Sequence, residues 1–297
     1  MNASVRDTLF GLELELVTRR PDIQQAIWDG DSLLANKPYD QFVREILAAT
    51  GTVIGNPPVA WYKRVKEPKQ QQEDVAQLFL GVRMQCAQCH HHPFERWSQN
   101  DYYGLTAFFS QVGRKPTATR GEDMIFHKRG AAAAVNIRSG IAVPPAALGT
   151  AIPTIAADQD PRLLLADWMA APDNPFFARA LVNRYWKHFF RRGLIEPEDD
   201  IRDSNPPTNP ELLAALEKHF IESRFDLREL VRVIVSSSAW QLSTLTSPAT
   251  WAFSSGVAGD VDRKKSVTSC FNLRSASFNA EELAAAGDSN KASQDSD

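Results

Sequence analysis

The chain has 297 residues, 43% of them hydrophobic, and its 33 basic and 36 acidic residues give a formal net charge of −3. This length and apolar content can bury one large core or two modest ones. The charge lacks the excess of Lys and Arg that nucleic acids and anionic membranes attract, so we predict a globular protein without a nucleic-acid partner. It has no run of about 18 apolar residues, which predicts no membrane span.

Residues 1–115 have apolar side chains at helical spacing. One such stretch, 75–82, runs directly into Cys86, so we predict that this helix continues to the cysteine. Ser98 or Asn100 would cap a following helix. Residues 1–115 therefore form the first predicted helical domain.

Prolines and glycines interrupt the apolar runs of residues 116–160, which predicts an irregular linker with short strands. Capping residues before proline or before a capping-box glutamate then predict three helices in a second domain, 161–245. These helices cover residues 175–190, 210–222 and 227–236. Residues 246–297 are rich in Ser, Ala, Gly and Asp, and we expect a disordered tail. The predicted fold is thus mainly α, with two helical domains joined by the linker.

Two of the three cysteines stand in the sequence Cys86-Ala87-Gln88-Cys89-His90, which has the spacing that attaches a c-type haem. The two thiols can form thioethers with the haem vinyl groups, and the adjacent imidazole can bind the iron. On a continuing helix, Cys86, Cys89 and His90 would share one side. We therefore predict haem c at these three residues, with an electron-transfer role and a redox protein as partner.

Other uses of this motif stay open. Cys86 and Cys89 could form a disulfide in a non-catalytic structural or interaction module. They could instead bind zinc together with His92 and one distant histidine, although the second half of a zinc finger is missing. Thioredoxin-like chemistry is disfavoured, because the motif follows a helical pattern rather than a strand and turn.

A haem bound here would have a sixth iron ligand or an open position. Met or His favours electron transfer, whereas an open position favours small-ligand chemistry. We predict His127, and after it His188, as the sixth ligand. The other candidates are Met84, Met124, Met169 and His219.

Two further clusters favour structure over chemistry. Aromatic side chains at helical spacing are typical of a core, and they are Trp97, Tyr102, Tyr103, Phe108, Phe109, Tyr185, Trp186, Phe189 and Phe190. The acidic residues between Glu196 and Asp203 lack the glycine and alternating ligands of a calcium loop, so we expect a solvated loop. Hydrolase and phosphate-loop motifs are missing from the sequence, which leaves enzymatic activity open.

Two blocks of the sequence carry a family resemblance. The first is LFLGVRMQCAQCH, residues 78–90, with HPFERW at 92–97; the second is DNPFFARALVNR, residues 173–184, with SNPPTNPEL at 204–212. Together they resemble a large bacterial family, abundant in planctomycetes, with two paired domains of unknown function, 1549 followed by 1553. The two blocks stand in the family's order, which makes the match specific.

The resemblance implies association with cytochromes and export to the periplasm or cell surface. Glu13 and Glu15 interrupt the only apolar stretch near the amino terminus, so no signal peptide is predicted. A complete chain would then be cytoplasmic, and we expect a truncated or frame-shifted member. A third function, an enzyme acting on surface polysaccharide, rests only on the domains found beside this family.

Overall fold

The computed structural model describes residues 21–91, 96–119, 121–150, 152 and 154–241. Helices dominate this part of the chain, which confirms the mainly α prediction. The helices are α1 (Pro21–Leu34), α2 (Tyr39–Leu47), α3 (Val59–Arg64), α4 (Pro68–Phe79), α5 (Gln99–Ala107), α6 (Pro161–Met169), α7 (Phe177–Phe190), α8 (Pro210–Glu222), α9 (Leu227–Ser236) and α10 (Ser238–Gln241). The strands are β1 (Val112–Pro116), β2 (Asp123–His127), β3 (Ala134–Val135) and β4 (Ala142–Val143).

The described residues form two compact units. The first contains the described residues up to 180 together with Asp199–Asn205, and the second contains Leu181–Glu198 together with the described residues from 206 onward. This division falls inside α7 and differs from the boundaries 1–115, 116–160 and 161–245, which stay a prediction. The tail predicted to be disordered, 246–297, lies outside the described residues.

The three helices predicted after residue 161 are present. Asn209 and Asp226 accept hydrogen bonds from the main-chain N–H groups of Leu212 and Glu229, so α8 and α9 begin where their N-caps predict. They also end at the predicted residues, 222 and 236. Asn174 accepts from the N–H groups that follow it, but α7 begins at Phe177 rather than at 175. The predicted linker, 116–160, contains the short strands β2, β3 and β4, whereas β1 begins before it at Val112. They pair as the antiparallel hairpins β1–β2 and β3–β4.

The prediction that one helix continues to Cys86 is wrong. Helix α4 ends at Phe79, and Gly81 then has a left-handed φ of +67°. The N–H of Val82 donates to the carbonyl of Ala76 at 2.9 Å, which closes the end of the helix. A side chain at Gly81 would meet Ile201, because a Cβ there would lie 2.6 Å from Ile201 Cδ1. Glycine is therefore required both by the backbone turn and by the neighbouring side chain.

The core of the first unit is aromatic, as the sequence predicts. Tyr102, Tyr103, Phe108 and Phe109 are fully buried around α5. Helix α5 begins with a capping box, in which Ser98 accepts from the N–H of Asp101 and the Asp101 carboxylate accepts from the N–H of Ser98.

A buried arginine braces the same unit. The side chain of Arg162, only 1% exposed, donates three hydrogen bonds to the Asp160 carboxylate: from Nε to Oδ1 at 3.0 Å and to Oδ2 at 3.2 Å, and from Nη2 to Oδ2 at 2.7 Å. Its Nη1 donates to the carbonyl of Ala49, and its guanidinium lies over the ring of Tyr62. Burial raises the pKa of Tyr62 to about 12, so this phenol stays protonated and donates to the carbonyl of Leu47.

In the second unit, Asn183 fastens the segment that follows α7. Its side chain accepts from the N–H of Ile195 and donates to the carbonyl of the same residue, both at 2.9 Å. Gly193 approaches this contact closely, since a Cβ there would lie 2.6 Å from the Ile195 carbonyl oxygen. Further along, Trp240 makes edge contacts with the rings of Phe189 and Phe190.

The acidic segment predicted as a solvated loop is partly exposed, and it carries ion pairs with cations. Lys187 pairs with Glu196 at 3.2 Å and also with Glu198, within the second unit. In the first unit, Arg202 pairs with Asp200 at 3.1 Å. These ion pairs partly neutralise the acidic side chains of the segment.

We predict that Gly81→Ala lowers the free energy of unfolding by about 2–4 kcal/mol. The left-handed backbone opposes any side chain, and the added methyl clashes with Ile201. Gly140→Ala is the matched control, because Gly140 has a φ of +69° with nothing within 4 Å of its added Cβ. Urea denaturation should show a loss of only about 1–2 kcal/mol for the control. Equal losses for the two variants would contradict the close contact with Ile201.

Candidate functional site

Cys86 lies in a 3₁₀ turn, Gln85–Gln88, that is separate from the preceding α-helix. Met84 and Ala87 are completely buried beneath this turn, and the N–H of Ala87 donates to the carbonyl of Met84 at 2.9 Å. Cys86 and Cys89 are exposed, with free thiols. The buried side chains of Met84 and Ala87 thus anchor the turn, and the exposed Cys86 and Cys89 direct their sulfur atoms to solvent.

The geometry of the turn keeps the two cysteines on one edge. A 3₁₀ helix has three residues per turn, so side chains three apart eclipse each other. Cys86 lies within the turn and Cys89 caps it, with its N–H directed at the Cys86 carbonyl at 3.4 Å. A common side for the two cysteines therefore follows from a tighter turn than the predicted α-helix, whereas the same side for His90 stays a prediction.

His90 follows the turn with one ring nitrogen engaged. Its Nδ1 lies 2.7 Å from the carbonyl oxygen of His91. Because a carbonyl only accepts, Nδ1 must carry the proton in this contact, which leaves the Nε2 lone pair of a neutral imidazole for a metal. A main-chain or carboxylate partner on the second nitrogen is the usual way in which proteins orient a metal-binding histidine.

Side chains of helix α5 hydrogen-bond to the last residue of the turn. The side chain of Gln99 and the hydroxyl of Tyr103 both donate to the carbonyl of Gln88, at 3.2 and 3.3 Å. Beside them, the hydroxyl of Tyr102 donates to Glu73 at 2.5 Å. Burial, followed by this hydrogen bond to Glu73, raises the pKa of Tyr102 well above its ordinary value, so the tyrosine is a proton donor across the physiological range.

Polar contacts also fix the segment that leads into the turn. Arg83 pairs with Asp199, which also accepts from the side chain of Gln77 at 2.5 Å, and Gln85 donates to Gln77 at 3.2 Å. Burial alone would raise the pKa of Asp199, but the hydrogen bonds from Arg83 and Gln77 outweigh it and lower the pKa. Asp199 therefore stays ionised and links Arg83, in the segment that leads into the turn, to Gln77 in helix α4.

Two clefts lie next to the motif. Cleft A, of about 760 Å³, is lined by His91, Gln99, Asn100, Asn136, Arg138, Ser139, Ile141, Ala142, Val143 and Pro144. Cleft B, of about 690 Å³, is lined by Glu67, Pro68, Lys69, Gln70, Glu73, Gln88, Tyr103, Thr106, Ser110, Ala133, Ala134 and Val135. His91, directly after the motif, thus lines cleft A, and Gln88 of the motif lines cleft B.

The candidate sixth ligands differ in their surroundings. His127 belongs to the same compact unit as the motif, and its Nε2 is buried with no hydrogen-bond partner among the described residues. His188 belongs to the second unit and is exposed beside Phe189. Burial lowers the pKa of His219, another candidate of the second unit. Met84 and Met169 are buried in the packing, which disfavours both as ligands.

The zinc alternative stays a prediction. His92, its third predicted ligand, lies outside the described residues. Within the described ranges, no three His, Cys, Asp or Glu side chains come together as a metal-binding group. The structure therefore places Cys86 in the turn, with Cys89 at its end and His90 directly after it, but does not gather these three described side chains around one point.

Sequence reasoning missed three elements of this site: the break at Gly81, the carbonyl of His91 and the tether at Asp199. A glycine directly after a helical run is a recognised stop signal and could have revealed the break. The other two depend on the folded path of the chain. No local sequence pattern predicts the contact of the His91 carbonyl or the contacts of Asp199.

No helix in the part of the chain that the structure describes combines the length and apolar character needed to span a membrane.

Comparison with known families identifies two segments. Residues 19–114 match the family model PSCyt2, described as a protein of unknown function (DUF1549), and they contain the motif. Residues 161–264 match PSD1, described as a protein of unknown function (DUF1553). These matches confirm the pair of domains that the two sequence blocks resemble. No curated protein and no solved structure matches the chain.

We predict that both motif thiols react freely in the native apoprotein. In a Cys270→Ala background, the reduced protein should consume two equivalents of Ellman's reagent at a rate within about tenfold of the urea-unfolded chain, because Cys86 and Cys89 are exposed. Single Cys86→Ala and Cys89→Ala variants should each consume one equivalent. Reaction that required unfolding would contradict this geometry.

Proposed function

Because this chain belongs to the family in which a DUF1549 domain precedes a DUF1553 domain, we propose that it binds a c-type haem at Cys86, Cys89 and His90 and serves electron transfer. The observation that carries the proposal is the 3₁₀ turn, which presents both thiols on one exposed edge directly before a histidine. The family label PSCyt2 hints at an association with cytochromes and agrees with it.

The residues fit such a group in two respects. Both sulfur atoms are accessible for thioether formation, and the buried Met84 and Ala87 hold the turn in place while they are modified. The contact between His90 Nδ1 and the His91 carbonyl favours the tautomer whose Nε2 can bind iron. When bound, haem c supplies a reversible one-electron couple.

A second candidate uses the thiols alone. Two exposed, free cysteines three residues apart can close a disulfide or hold zinc, which would make the first unit a structural or interaction module. Haem attachment and a stable disulfide both belong to exported proteins, whereas a zinc site sets no such requirement. We therefore propose a periplasmic or cell-surface location, with a redox protein as partner for the haem form.

The decisive experiment expresses the chain with an export signal and haem-maturation genes. We predict a haem-stained band on a denaturing gel that Cys86→Ala/Cys89→Ala abolishes and that Cys270→Ala retains, because thioethers to the first two cysteines survive denaturation. Zinc is measured on the same samples. A well-folded protein without haem stain would refute the cytochrome proposal, and its zinc content would then distinguish zinc from a disulfide.

Two neighbouring histidines provide a matched pair of variants. We predict that His90→Ala loses the absorption spectrum of a His-ligated haem, whereas His91→Ala retains it, because the contact that orients His90 uses the main-chain carbonyl of residue 91, which alanine keeps. Visible absorption spectra of the purified proteins test this. Equal spectra for His90→Ala and the unsubstituted protein would exclude His90 as the axial ligand.

For the sixth position we predict His127, whose buried Nε2 lacks a protein partner in the described chain. His127→Ala should shift the visible spectrum and the midpoint potential of the haem, whereas His188→Ala should leave both unchanged. Spectroelectrochemistry of the two variants checks this. The opposite pattern would assign His188, and two silent variants would exclude both.

A further inference from the structure

Cleft A has the chemistry of an anion site. Among its described lining residues are Arg138, with its guanidinium, and His91, with its imidazole, and none of these described residues is acidic. The hairpin that supplies most of this wall belongs to a longer segment, 124–157, that contains Lys128, Arg129 and Arg138 but no Asp or Glu. The potential of this wall is therefore positive.

Arg138 is available to a ligand. Its side chain is exposed, and among the described residues no carboxylate pairs with it. The main chain at this point is fixed, because the Asn136 side-chain oxygen accepts from the N–H groups of Arg138 and Ser139 at 3.0 and 3.4 Å. An ordered backbone thus carries, at the edge of the cleft, a cation that no carboxylate of the described ranges pairs with.

Hydrogen bonds inside the cleft use up side-chain acceptors and leave donors. The amide of Asn136, which is only 4% exposed, donates to the side-chain oxygen of Asn100 at 3.0 Å. Both amide oxygens are therefore engaged, that of Asn100 by Asn136 and that of Asn136 by the main chain. The NH₂ group of Asn100 and the guanidinium of Arg138 remain as donors that face solvent or a ligand.

We propose that cleft A binds a carboxylate through Arg138 and Asn100. Planar carboxylates suit a guanidinium fork, and charge-assisted hydrogen bonds of this kind are the strong ones. Two sources supply this chemistry: the propionate groups of a haem on the neighbouring motif, which rests on the proposed function, or a free carboxylic acid. His91 lines the cleft and directly follows the motif in sequence, so a haem attached to the motif would bring its propionate groups close to the cleft.

The first arm of the test uses the apoprotein, expressed without maturation genes, and citrate as the probe. Isothermal titration calorimetry should show binding that weakens about tenfold or more in Arg138→Gln and in Asn100→Asp. Asn100→Asp keeps the acceptor for Asn136, removes the NH₂ donor and suits the first turn of α5, so it does not weaken the helix. Arg129 is exposed and is not among the lining residues of the cleft, so the Arg129→Gln variant is the control and should bind citrate as the unsubstituted protein does.

The second arm uses the haem-loaded protein. Loss of citrate binding on loading, with a lower midpoint potential in Arg138→Gln than in Arg129→Gln, identifies the propionates, because removing a nearby positive charge stabilises the oxidised haem. Citrate binding that persists after loading identifies a free carboxylate. If no haem attaches, the citrate arm still stands and only the proposed function fails. Two results together would overturn the inference. Citrate does not bind, or neither Arg138→Gln nor Asn100→Asp weakens its binding, and the midpoint potential of Arg138→Gln is unchanged.

Discussion

The site depends on the place where the chain leaves helix α4. At Gly81 the backbone adopts a left-handed conformation, and the side chain of Ile201 packs where any other residue would place its Cβ. Had the helix continued, the motif would lie on a 3.6-residue turn. Because the helix stops, the motif forms a tighter turn of its own, with Met84 and Ala87 buried and the two cysteines turned outward. One glycine therefore determines which face of the motif meets solvent.

Fixed polar contacts hold this turn on each side. Before it, Asp199 binds Arg83 and Gln77, and an ionised carboxylate is the form that these donors stabilise. After it, the carbonyl of Gln88 receives hydrogen bonds from residues of α5, which is itself fixed by a capping box and an aromatic core. The sulfur atoms are accessible, but the backbone that carries them is ordered. A covalently attached cofactor needs this combination, since its orientation is set by the chain that holds it.

Local signals predicted much of this architecture. Helices α8 and α9 follow from the cap residues Asn209 and Asp226, and the aromatic core follows from helical spacing. The prediction failed at the end of α4, where periodicity alone continued the helix past a glycine. The spacing of Cys86 and Cys89 could be read from the sequence. Cleft A could not, because hydrogen bonding between two asparagines from distant segments appears only in the folded chain.

The central claim is that the motif carries a covalent haem, and one measurement tests it most directly. Trypsin should release residues 84–96 as a single peptide, since Arg83 and Arg96 bound it. Mass spectrometry of the exported, matured protein is predicted to find this peptide with one haem joined to both Cys86 and Cys89. The same peptide recovered from matured protein with two unmodified thiols, or with a disulfide between them, would contradict the account.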